Sequence, residues 1–403
     1  MVLAINILLI AVCIAIMAPM TAFVLECLLA ILPRRRKASG PAIRHPATVV
    51  LIPAHNEESV LEQSLRVLIP TLPAGDRVLV IADNCDDRTA EVAETAGAEV
   101  VVRRDPARRG KGYALDFAAE YLRTKPPEVA VILDADCLVS PYTVRILAQQ
   151  VIQSGRHVQG LNLTDRFPPT ASREILAILA NRFTNLIRPL GLSRAGLPCR
   201  LMGTGLAVPW ALLEKVPFAG ENLVEDMQWG IDLGLAGFWP LFCPEARVTS
   251  ALPPQHRAFL KQRIRWEHGH LRTIALQVPR LLAKSLWRRD YRLFCSAWDL
   301  SIPPLTLLAG FWSAAIIASL AATAAGASPC PAGVLCLGGI MTALAFAAAW
   351  FVHCRRQVPF TALLTAPFYM LRKLPIYIKF IFHPQNSWVR TDRDKITCSD
   401  PTR

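Results

Sequence analysis

Two aspartates separated by one alanine follow a run of five apolar residues in the stretch "VAVILDADCL" (Val129–Leu138). Two like charges at this spacing raise each other's pKa, and burying them without a counter-charge is unfavourable. Carboxylate oxygens bind divalent metals readily. The stretch therefore predicts that Asp134 and Asp136 hold a divalent metal together with the phosphates that such a metal carries.

Polar residues follow two other apolar runs in the same way. Continuous apolar strands alternating with helices, such as those predicted over Ser59–Leu68 and Tyr113–Leu122, indicate a mostly parallel sheet covered on both faces. Such sheets bind ligands beyond the carboxyl ends of their strands. One aspartate at a strand end is ordinary turn chemistry, but three strand ends together predict one cleft. The residues concerned are His55, Asn56, Glu57, Asp83, Asp86, Asp87, Asp134 and Asp136.

Phosphate binding in this chain needs a positive charge from outside the two common phosphate-binding motifs. The dinucleotide motif GxGxxG and the phosphate loop GxxxxGK[ST] do not occur in the sequence, which disfavours hydride-transfer and P-loop folds. Lys111 lies between two glycines where a helix is predicted to begin, and helix N-termini attract anions. A solvated loop lysine is the alternative.

Three later motifs add candidate groups. Gly203 and Thr204 lie in "LMGTGLAV", where glycines allow a ligand to approach the backbone; a plain tight turn is equally consistent. Glu225 and Asp226 are adjacent carboxylates in an apolar setting. Either suits the first turn of a helix, and one could be a general base whose pKa is raised by burial.

The run "KQRIRWEHGH" (Lys261–His270) is the most distinctive of the chain. Gln262, Arg265 and Trp266 have the spacing that puts side chains on one helix face. The guanidinium of Arg265 suits phosphate oxygens, and the indole of Trp266 suits the C–H face of a sugar. An interfacial helix with arginines on lipid headgroups is the alternative.

Three segments are apolar enough to cross a bilayer. The chain is 53 % hydrophobic, and Met1–Ile31 has no charged residue before Glu26, a length that spans the roughly 30 Å hydrocarbon core. It lacks the cleavage site of a secretory signal, so we interpret it as a permanent anchor. Ile302–Ala327 and Val334–Val352 are also uncharged. The sequence therefore predicts three transmembrane spans.

Basic flanks orient these spans. "PRRRK" (Pro33–Lys37) follows the first span, "HCRRQ" (His353–Gln357) follows the third, and short basic flanks stay in the cytoplasm. The N-terminus is then outside, and the region between the first two spans is cytosolic. Anionic lipids explain the net charge of +13, whereas no nucleic-acid motif is present and no nucleic acid is expected. Arg280–Arg292 and Phe360–Phe382 mix basic and aromatic residues and are interpreted as lying on the membrane.

The eleven cysteines give no metal-binding signal. They form no CxxC pair or Cys/His spacing, so a zinc site is not expected. Cys330 and Cys336 could pair if they face the outside, and the sequence leaves this open.

Taken in order, the motifs resemble those of family 2 glycosyltransferases, specifically the membrane-embedded branch that includes cellulose, hyaluronan and other exopolysaccharide synthases. The similarity covers roughly Thr48–Arg272, through "PAHNE", "DNCDD", "RGKGYALD", "DAD", "MGTG", "VED" and "QRIRW". It implies an α/β, GT-A-like nucleotide-sugar domain, Rossmann-like and mostly parallel, inserted between transmembrane helices of a bacterial inner-membrane protein.

The resemblance also implies roles for individual residues. Asp226 would be the general base, with Glu225 beside it, in an inverting transfer that uses Mg²⁺ or Mn²⁺. Asp136 would hold the metal together with Asp134, and Gly203, Thr204 and Trp266 would contact the acceptor. The nucleotide-sugar donor, expected to be a UDP-sugar, would contact Pro53, His55, Glu57, Asp83, Lys111, Asp134, Asp136, Gln262 and Arg265.

The acceptor is expected to be a growing exopolysaccharide or its polyprenyl-linked oligosaccharide precursor, with polysaccharide export or assembly proteins as possible partners. Val224 stands where polymer synthases carry threonine, and three spans are few for a polymer channel. The small number of spans favours a shorter acceptor, such as a polyprenyl-linked oligosaccharide, or a partner protein, whereas QxxRW is associated with processive enzymes, and the sequence leaves this open. The alternative functions are a glycolipid-forming transferase that acts directly on a lipid and an inactive scaffold. The intact acidic motifs disfavour the scaffold.

These predictions divide the chain into consecutive segments. A transmembrane helix and a basic linker precede the catalytic domain; interfacial helices, two further spans, an amphipathic or re-entrant helix and a polar tail follow it. The predicted boundaries are 1–31, 32–47, 48–253, 254–298, 299–327, 334–353, 357–383 and 384–403.

Overall fold

The computed structural model describes residues 2–33, 44–164, 172–218, 224–250 and 256–382. These residues form two compact units. The sheet unit comprises 44–164, 200–218, 224–250 and 256–266; the helical unit comprises 2–33, 172–199 and 267–382. The predicted tail (384–403) and most of the predicted linker (32–47) lie outside the described residues.

One mixed sheet organises the sheet unit. Its strands are β1 (Thr48–Ala54), β2 (Arg77–Asp83), β3 (Glu99–Arg103), β4 (Val129–Ile132), β5 (Cys137–Val139), β6 (Val158–Leu163), β7 (Leu206–Pro209) and β8 (Leu241–Ser250). They lie in the order β3-β2-β1-β4-β7-β6-β8-β5. The first four are mutually parallel, whereas β7 is antiparallel to both β4 and β6. The predicted α/β GT-A-like fold, mostly parallel and Rossmann-like, is confirmed.

The central strands are apolar on both faces because both faces are covered. Leu51 of β1 pairs with Leu79 of β2 and Ile132 of β4, and all three are fully buried. Val50 and Ile52 point into a second core on the opposite face. This double burial favours continuous apolar runs over alternation and aligns the carboxyl ends of β1, β2 and β4.

Helices cover the sheet and build the second unit. In chain order they are α1 (Val2–Ile31), α2 (Glu58–Leu68), α3 (Thr89–Thr95), α4 (Lys111–Leu122), α5 (Thr143–Ser154), α6 (Ser172–Arg182), α7 (Arg188–Arg194), α8 (Trp210–Leu213), α9 (Glu225–Leu235), α10 (His256–Arg288), α11 (Tyr291–Leu300), α12 (Leu305–Ala324), α13 (Cys330–His353), α14 (Phe360–Leu363) and α15 (Ala366–Phe382). A 3₁₀ turn (Ile69–Thr71) follows α2, and a π-helical turn (Phe183–Ile187) joins α6 to α7.

Among the described residues, α1, α12 and α13 are long and apolar enough to cross a membrane. They coincide with the three predicted spans within a few residues. The part of the chain described holds ten cysteines, all free thiols, and Cys330 and Cys336 are among them.

A buried ion cluster ties three helices of the helical unit together. Arg188 of α7 donates to Glu26 of α1 at 2.7 Å and to Asp299 of α11 at 2.6 Å, and all three side chains are buried. A Cβ on Gly191 would lie 2.1 Å from the backbone oxygen of Glu26, so α7 packs directly on α1. Thus α6 and α7, although inside the predicted 48–253 segment, pack with the helical unit.

A second buried ion pair joins α10 to α15. Lys373 donates to Glu267, and His268 bonds through Nε2 to the backbone oxygen of Ile376 at 3.0 Å. Phe368 and Leu371 remain largely exposed on α15. These contacts, made by adjacent residues of α10, hold one turn of α15 against that helix, while α15 keeps an apolar face outward.

A histidine whose ring makes no hydrogen bond to any described residue lies in the core of the sheet unit. His157 is fully buried, with its ring centroid 6.3 Å from that of Trp229, and neither ring nitrogen has a partner among the described residues. Burial, together with the nearby Arg156 cation, lowers the pKa of His157 to about 3.

We therefore expect this histidine to destabilise the protein in acid. The unfolded chain binds a proton here below pH ~6.5 while the folded chain does not, so the stability present above that pH is lost as the pH falls. The loss should reach about 2 kcal/mol at pH 5. His157→Leu should show a smaller drop in melting temperature between pH 8 and pH 5 than wild type, as measured by intrinsic fluorescence in detergent. Equal drops would contradict this assignment.

Candidate active site

The carboxyl end of β4 carries the acidic pair. One oxygen of Asp134, one of Asp136 and the Sγ of Cys137 lie within 4.8 Å of one another. The backbone N–H of Asp134 donates to the hydroxyl of Thr204 at 3.0 Å. The aspartates are half-buried, so their carboxylates are close together and reachable from the cleft.

The atoms of this cluster suit a hard divalent cation. Two carboxylate oxygens match the preference of Mg²⁺ or Mn²⁺. Burial and the neighbouring aspartates raise the pKa of the Cys137 thiol well above its usual range, so the thiol is protonated in the metal-free protein. The ammonium of Lys111 bonds to Asp134, which shows that this position attracts a cation. The cluster therefore fits a divalent metal held by the two aspartates.

Lys111 joins the acidic pair to a glycine loop. Its Nζ donates to Asp134 and, at 2.6 Å, to the backbone oxygen of Gly203. Desolvation acts to lower the pKa of Lys111, but the carboxylates of Asp134, Asp226 and Glu225 together outweigh it and the net pKa is raised. The lysine is therefore charged, and its predicted contact with a diphosphate stays a prediction.

The side chain of Glu225, the first residue of α9, lies at the N-terminus of α4. Its Oε2 accepts from the backbone N–H of Gly112 at 2.8 Å, and a Cβ on Gly110 would lie 3.2 Å from its Oε1. Burial raises the pKa of Glu225, although this N–H and the cations of Lys111 and Arg265 oppose the shift. The anion at this helix start is thus a side chain of the protein itself.

Asp226, the next residue of α9, has different neighbours. A Cβ on Gly203 would lie 3.2 Å from its Oδ2, and the φ of Gly203 is +78°, so glycine is needed there on both counts. Desolvation raises the pKa of Asp226 above its ordinary value, and the Lys111 cation offsets part of that rise. A carboxylate in such a setting can accept a proton.

The loop Leu201–Gly205 lies against Lys111, Asp134 and Asp226. The oxygen of Gly203 accepts from Lys111, and the hydroxyl of the buried Thr204 accepts from the N–H of Asp134. Thr204 therefore holds the acidic pair in this structure, and its predicted acceptor contact stays a prediction.

The residues predicted to contact the nucleotide base lie beyond the carboxyl ends of β1 and β2. Nδ1 of His55 donates to the backbone oxygen of Asp83 at 2.6 Å. Oδ1 of Asp83 accepts from Arg103 at 2.7 Å and from Asn84 at 2.9 Å. No described side chain donates to its Oδ2. Desolvation raises the pKa of Asp83, and the bond from Arg103 partly opposes this.

Four further residues lie at or just after the carboxyl ends of β1 and β2, and a fifth lies in β1. Pro53 and Glu57 are half-buried there, and the N–H of Glu57 donates to Thr89 at 2.8 Å. Asp87 caps the start of α3 by accepting from the N–H of Thr89 at 3.0 Å, which is the turn chemistry that the sequence left open for it. Asn56 accepts from the N–H of Asp86 at 2.8 Å.

Gln262, Arg265 and Trp266 all lie on α10, as the spacing predicts. Arg265 is half-buried, and its charge acts on Glu225, which places it near the acidic residues of α9. Trp266 is 47 % exposed, so its indole face is open to a ligand.

Arg103 and Gln159 are two site residues that the sequence motifs did not predict. Arg103 ends β3 as polar residues end the other strands, so the same rule applied to β3 would have found it. Gln159 lies inside β6 and bonds to the loop Leu201–Gly205; an amide within an apolar strand is its only sequence signal.

Comparison with known proteins agrees with this geometry. Residues 45–269 match the family described as "Glycosyltransferase like family 2". The probable glycosyltransferase YdaM of Bacillus subtilis is 24 % identical over 238 residues, covering 56 % of this chain and 55 % of the relative. Glucomannan 4-beta-mannosyltransferase 7 of Arabidopsis thaliana is 26 % identical over 269 residues, covering 62 % of this chain and 48 % of the relative. The chain thus spans about half the length of these relatives.

A solved structure supports the fold. The mannosyltransferase PcManGT of Pyrobaculum calidifontis, in complex with GDP-Man and Mn²⁺, superimposes with a TM-score of 0.58 at 18 % identity, covering 94 % of this chain and 100 % of that one. The family match takes in more than half of the 403 residues and includes the acidic pair, Lys111, the glycine loop and Asp226. The chain belongs to glycosyltransferase-like family 2.

Proposed function

We propose that the protein is an inverting, metal-dependent glycosyltransferase that takes sugar from a nucleotide-sugar donor at the cytosolic face of a membrane. The observation that carries this proposal is the convergence of Lys111, Asp134 and Asp226 on one glycine loop beside Asp136. Cations next to clustered carboxylates suit a diphosphate and its metal, and a carboxylate with a raised pKa suits a base.

In this proposal each site residue has a separate role. Asp134 and Asp136 would hold Mg²⁺ or Mn²⁺, which when bound offsets charge on the departing nucleoside diphosphate. Lys111 and Arg265 would bind phosphate oxygens, and Gln262 would lie against the donor. Asp226 would accept the proton of the acceptor hydroxyl, and Trp266 and Gly203 would border the acceptor sugar. Pro53, His55 and Glu57 would line the base pocket around Asp83.

The hydrogen bonds of Asp83 favour UDP over GDP. Arg103 and Asn84 already donate to its Oδ1. The Oδ2 atom is therefore the one that would accept a hydrogen bond from the nucleotide base. Uracil presents one N–H, at N3, which a single oxygen satisfies, whereas guanine presents two adjacent N–H groups that pair with both oxygens of a carboxylate. The Pyrobaculum mannosyltransferase binds GDP-Man, so GDP-sugars are the competing class.

Asp83→Asn should exchange the preferred base. Arg103 and Asn84 would keep the amide oxygen at the Oδ1 position, so the amide NH₂ would face the base. This NH₂ donor would face another donor, the N3–H of uracil, but could donate a hydrogen bond to N3 of cytosine, which carries no hydrogen. We expect UDP to bind about 10- to 100-fold more weakly, for a donor–donor mismatch of 1–3 kcal/mol, with CDP gaining relative to UDP. Titration of the full chain with UDP, CDP and GDP in Mn²⁺ measures this. Glu99→Gln is the matched control, because Glu99 pairs with Arg77 at the other end of these strands.

The function itself is tested by donor turnover. The full chain in nanodiscs should release nucleoside diphosphate from one member of a nucleotide-sugar panel in Mg²⁺ or Mn²⁺. Binding of no nucleotide would contradict the proposal and favour a scaffold. Binding without release would require adding candidate acceptors.

The membrane setting is proposed from α1, α12 and α13. Three candidate spans, with the N-terminus outside, would leave the sheet unit in the cytosol of a bacterium, beside anionic lipids. A growing exopolysaccharide or its lipid-linked precursor would be the acceptor, with export or assembly proteins as partners. So few spans also favour a second candidate, transfer directly to a lipid. Product size separates the two, because the first gives a ladder or polymer and the second a single glycolipid.

A further inference from the structure

Two amide side chains of β6 bond to the loop Leu201–Gly205: Asn162 donates to the oxygen of Met202 at 3.4 Å, and Gln159 makes two shorter bonds. Gln159 of β6 is fully buried. Its Oε1 accepts from the N–H of Met202 at 2.9 Å, and its Nε2 donates to the oxygen of Thr204 at 2.8 Å. One amide thus bonds to the loop on both sides of Gly203.

The two bonds fix the atoms that hold the charged groups. Between them lies the oxygen of Gly203, which accepts from Lys111 at 2.6 Å, and next to it the hydroxyl of Thr204, which accepts from the N–H of Asp134 at 3.0 Å. Gly203 also passes close to Asp226, since a Cβ there would lie 3.2 Å from Oδ2. A shift of this loop would therefore move the lysine, the acidic pair and the carboxylate of α9 together.

Hydrogen bonds from outside the loop select its conformation. Gly203 and Gly205 have φ values of +78° and +67°, and because glycine adopts positive and negative φ about equally readily, these residues do not fix the conformation by themselves. Gly205 is anchored by its own N–H to the oxygen of Ile132 at 3.0 Å. At Met202 and Thr204 the amide of Gln159 makes the shorter side-chain bonds, and Asn162 adds a longer one to the oxygen of Met202.

We propose that Gln159 is a positioning residue that sets the geometry of the metal and base groups through this loop. The proposal rests on the function proposed above. Gln159 touches no substrate; it acts through Thr204 on Asp134 and through Gly203 on Lys111 and Asp226. An apolar replacement would leave the N–H of Met202 and the oxygen of Thr204 buried without partners, and the loop would move to satisfy them.

Gln159→Leu tests this, with Gln159→Glu as a second variant that keeps the acceptor for Met202 and loses the donor to Thr204. We expect kcat to fall about 10- to 100-fold, the size reported for displacements near 1 Å, with weaker Mn²⁺ binding by electron paramagnetic resonance in the absence of donor. Gln150→Leu on α5 makes the same chemical change away from the loop and should match wild type.

Thr204→Val supplies the decisive comparison. Because Gln159 is argued to act in part through Thr204, the loss in the double variant Gln159→Leu/Thr204→Val should be smaller than the product of the two single losses. Additive losses, or folded Gln159 variants with Mn²⁺ affinity and kcat within twofold of wild type, would overturn the proposal. If wild type binds Mn²⁺ but transfers no sugar, the proposed function fails, while the change in Mn²⁺ affinity still reports on the loop.

Discussion

Asp226→Asn is expected to lower kcat by about 10²- to 10⁴-fold, the range for loss of a general base, while UDP binding in Mn²⁺ stays near that of wild type. The amide has the size of the carboxylate, so the close approach of Gly203 to this side chain is preserved. What is lost is the ability to take a proton from the acceptor hydroxyl. Nucleoside-diphosphate release and UDP titration on the same preparation measure the two effects.

Glu225→Gln is the matched control for this experiment. It removes the same charge one residue earlier on α9, but Glu225 accepts from the N–H of Gly112 at the start of α4. An amide oxygen can keep that bond, so we expect a smaller loss, about tenfold at most. Normal turnover in Asp226→Asn, or a larger loss in Glu225→Gln, would reject Asp226 as the base.

The pH profile gives a second check on the same residue. A base must be deprotonated to act, and desolvation raises the pKa of Asp226. Activity should therefore fall as the pH drops through this raised pKa, at a higher pH than an exposed aspartate would give. Residual activity in Asp226→Asn should lack that acid limb.

The sequence predicted the parallel half of the sheet well because its signals are local. Thr48–Ala54, Arg77–Asp83 and Val129–Ile132 are continuous apolar runs that end in polar groups, and each run can be recognised without knowing its partner. Parallel pairing then brings their ends to one edge. The three candidate spans were equally local, since length and lack of charge identify them.

What the sequence missed depends on contacts between distant residues. β7 runs antiparallel between β4 and β6, and no spacing rule gives that order. Glu26 ended an uncharged stretch in the sequence, whereas in the structure it pairs with Arg188, 162 residues away. Likewise Glu225 and Asp226 are equivalent by pattern, and their neighbours in the fold distinguish them, since Glu225 accepts from the N–H of Gly112 and Asp226 lies against Gly203. Charges pair according to the fold, so their partners could not be predicted.

Asp136→Ala is expected to abolish the metal dependence of donor binding. Changes to outer-shell partners alone weaken metal affinity by about 10- to 100-fold, so removal of a ligand should cost at least about 100-fold. Asp136 is the ligand to remove first because the carboxylate of Asp134 is already bonded to the ammonium of Lys111. Its loss leaves one carboxylate, shared with a cation, for the metal.

Cys137→Ala separates a two-carboxylate site from a three-ligand site. The thiol lies within 4.8 Å of both carboxylates, but its raised pKa keeps it protonated, and a protonated thiol is a poor ligand for Mg²⁺ or Mn²⁺. Mn²⁺ titration by electron paramagnetic resonance, with and without UDP, should therefore show nearly wild-type affinity in Cys137→Ala and little binding in Asp136→Ala. If both variants lose the metal equally, the thiolate is a ligand and a softer cation belongs in the site. If neither loses it, Asp136 is not a ligand of the metal, and the assignment of the acidic pair as the metal site is wrong.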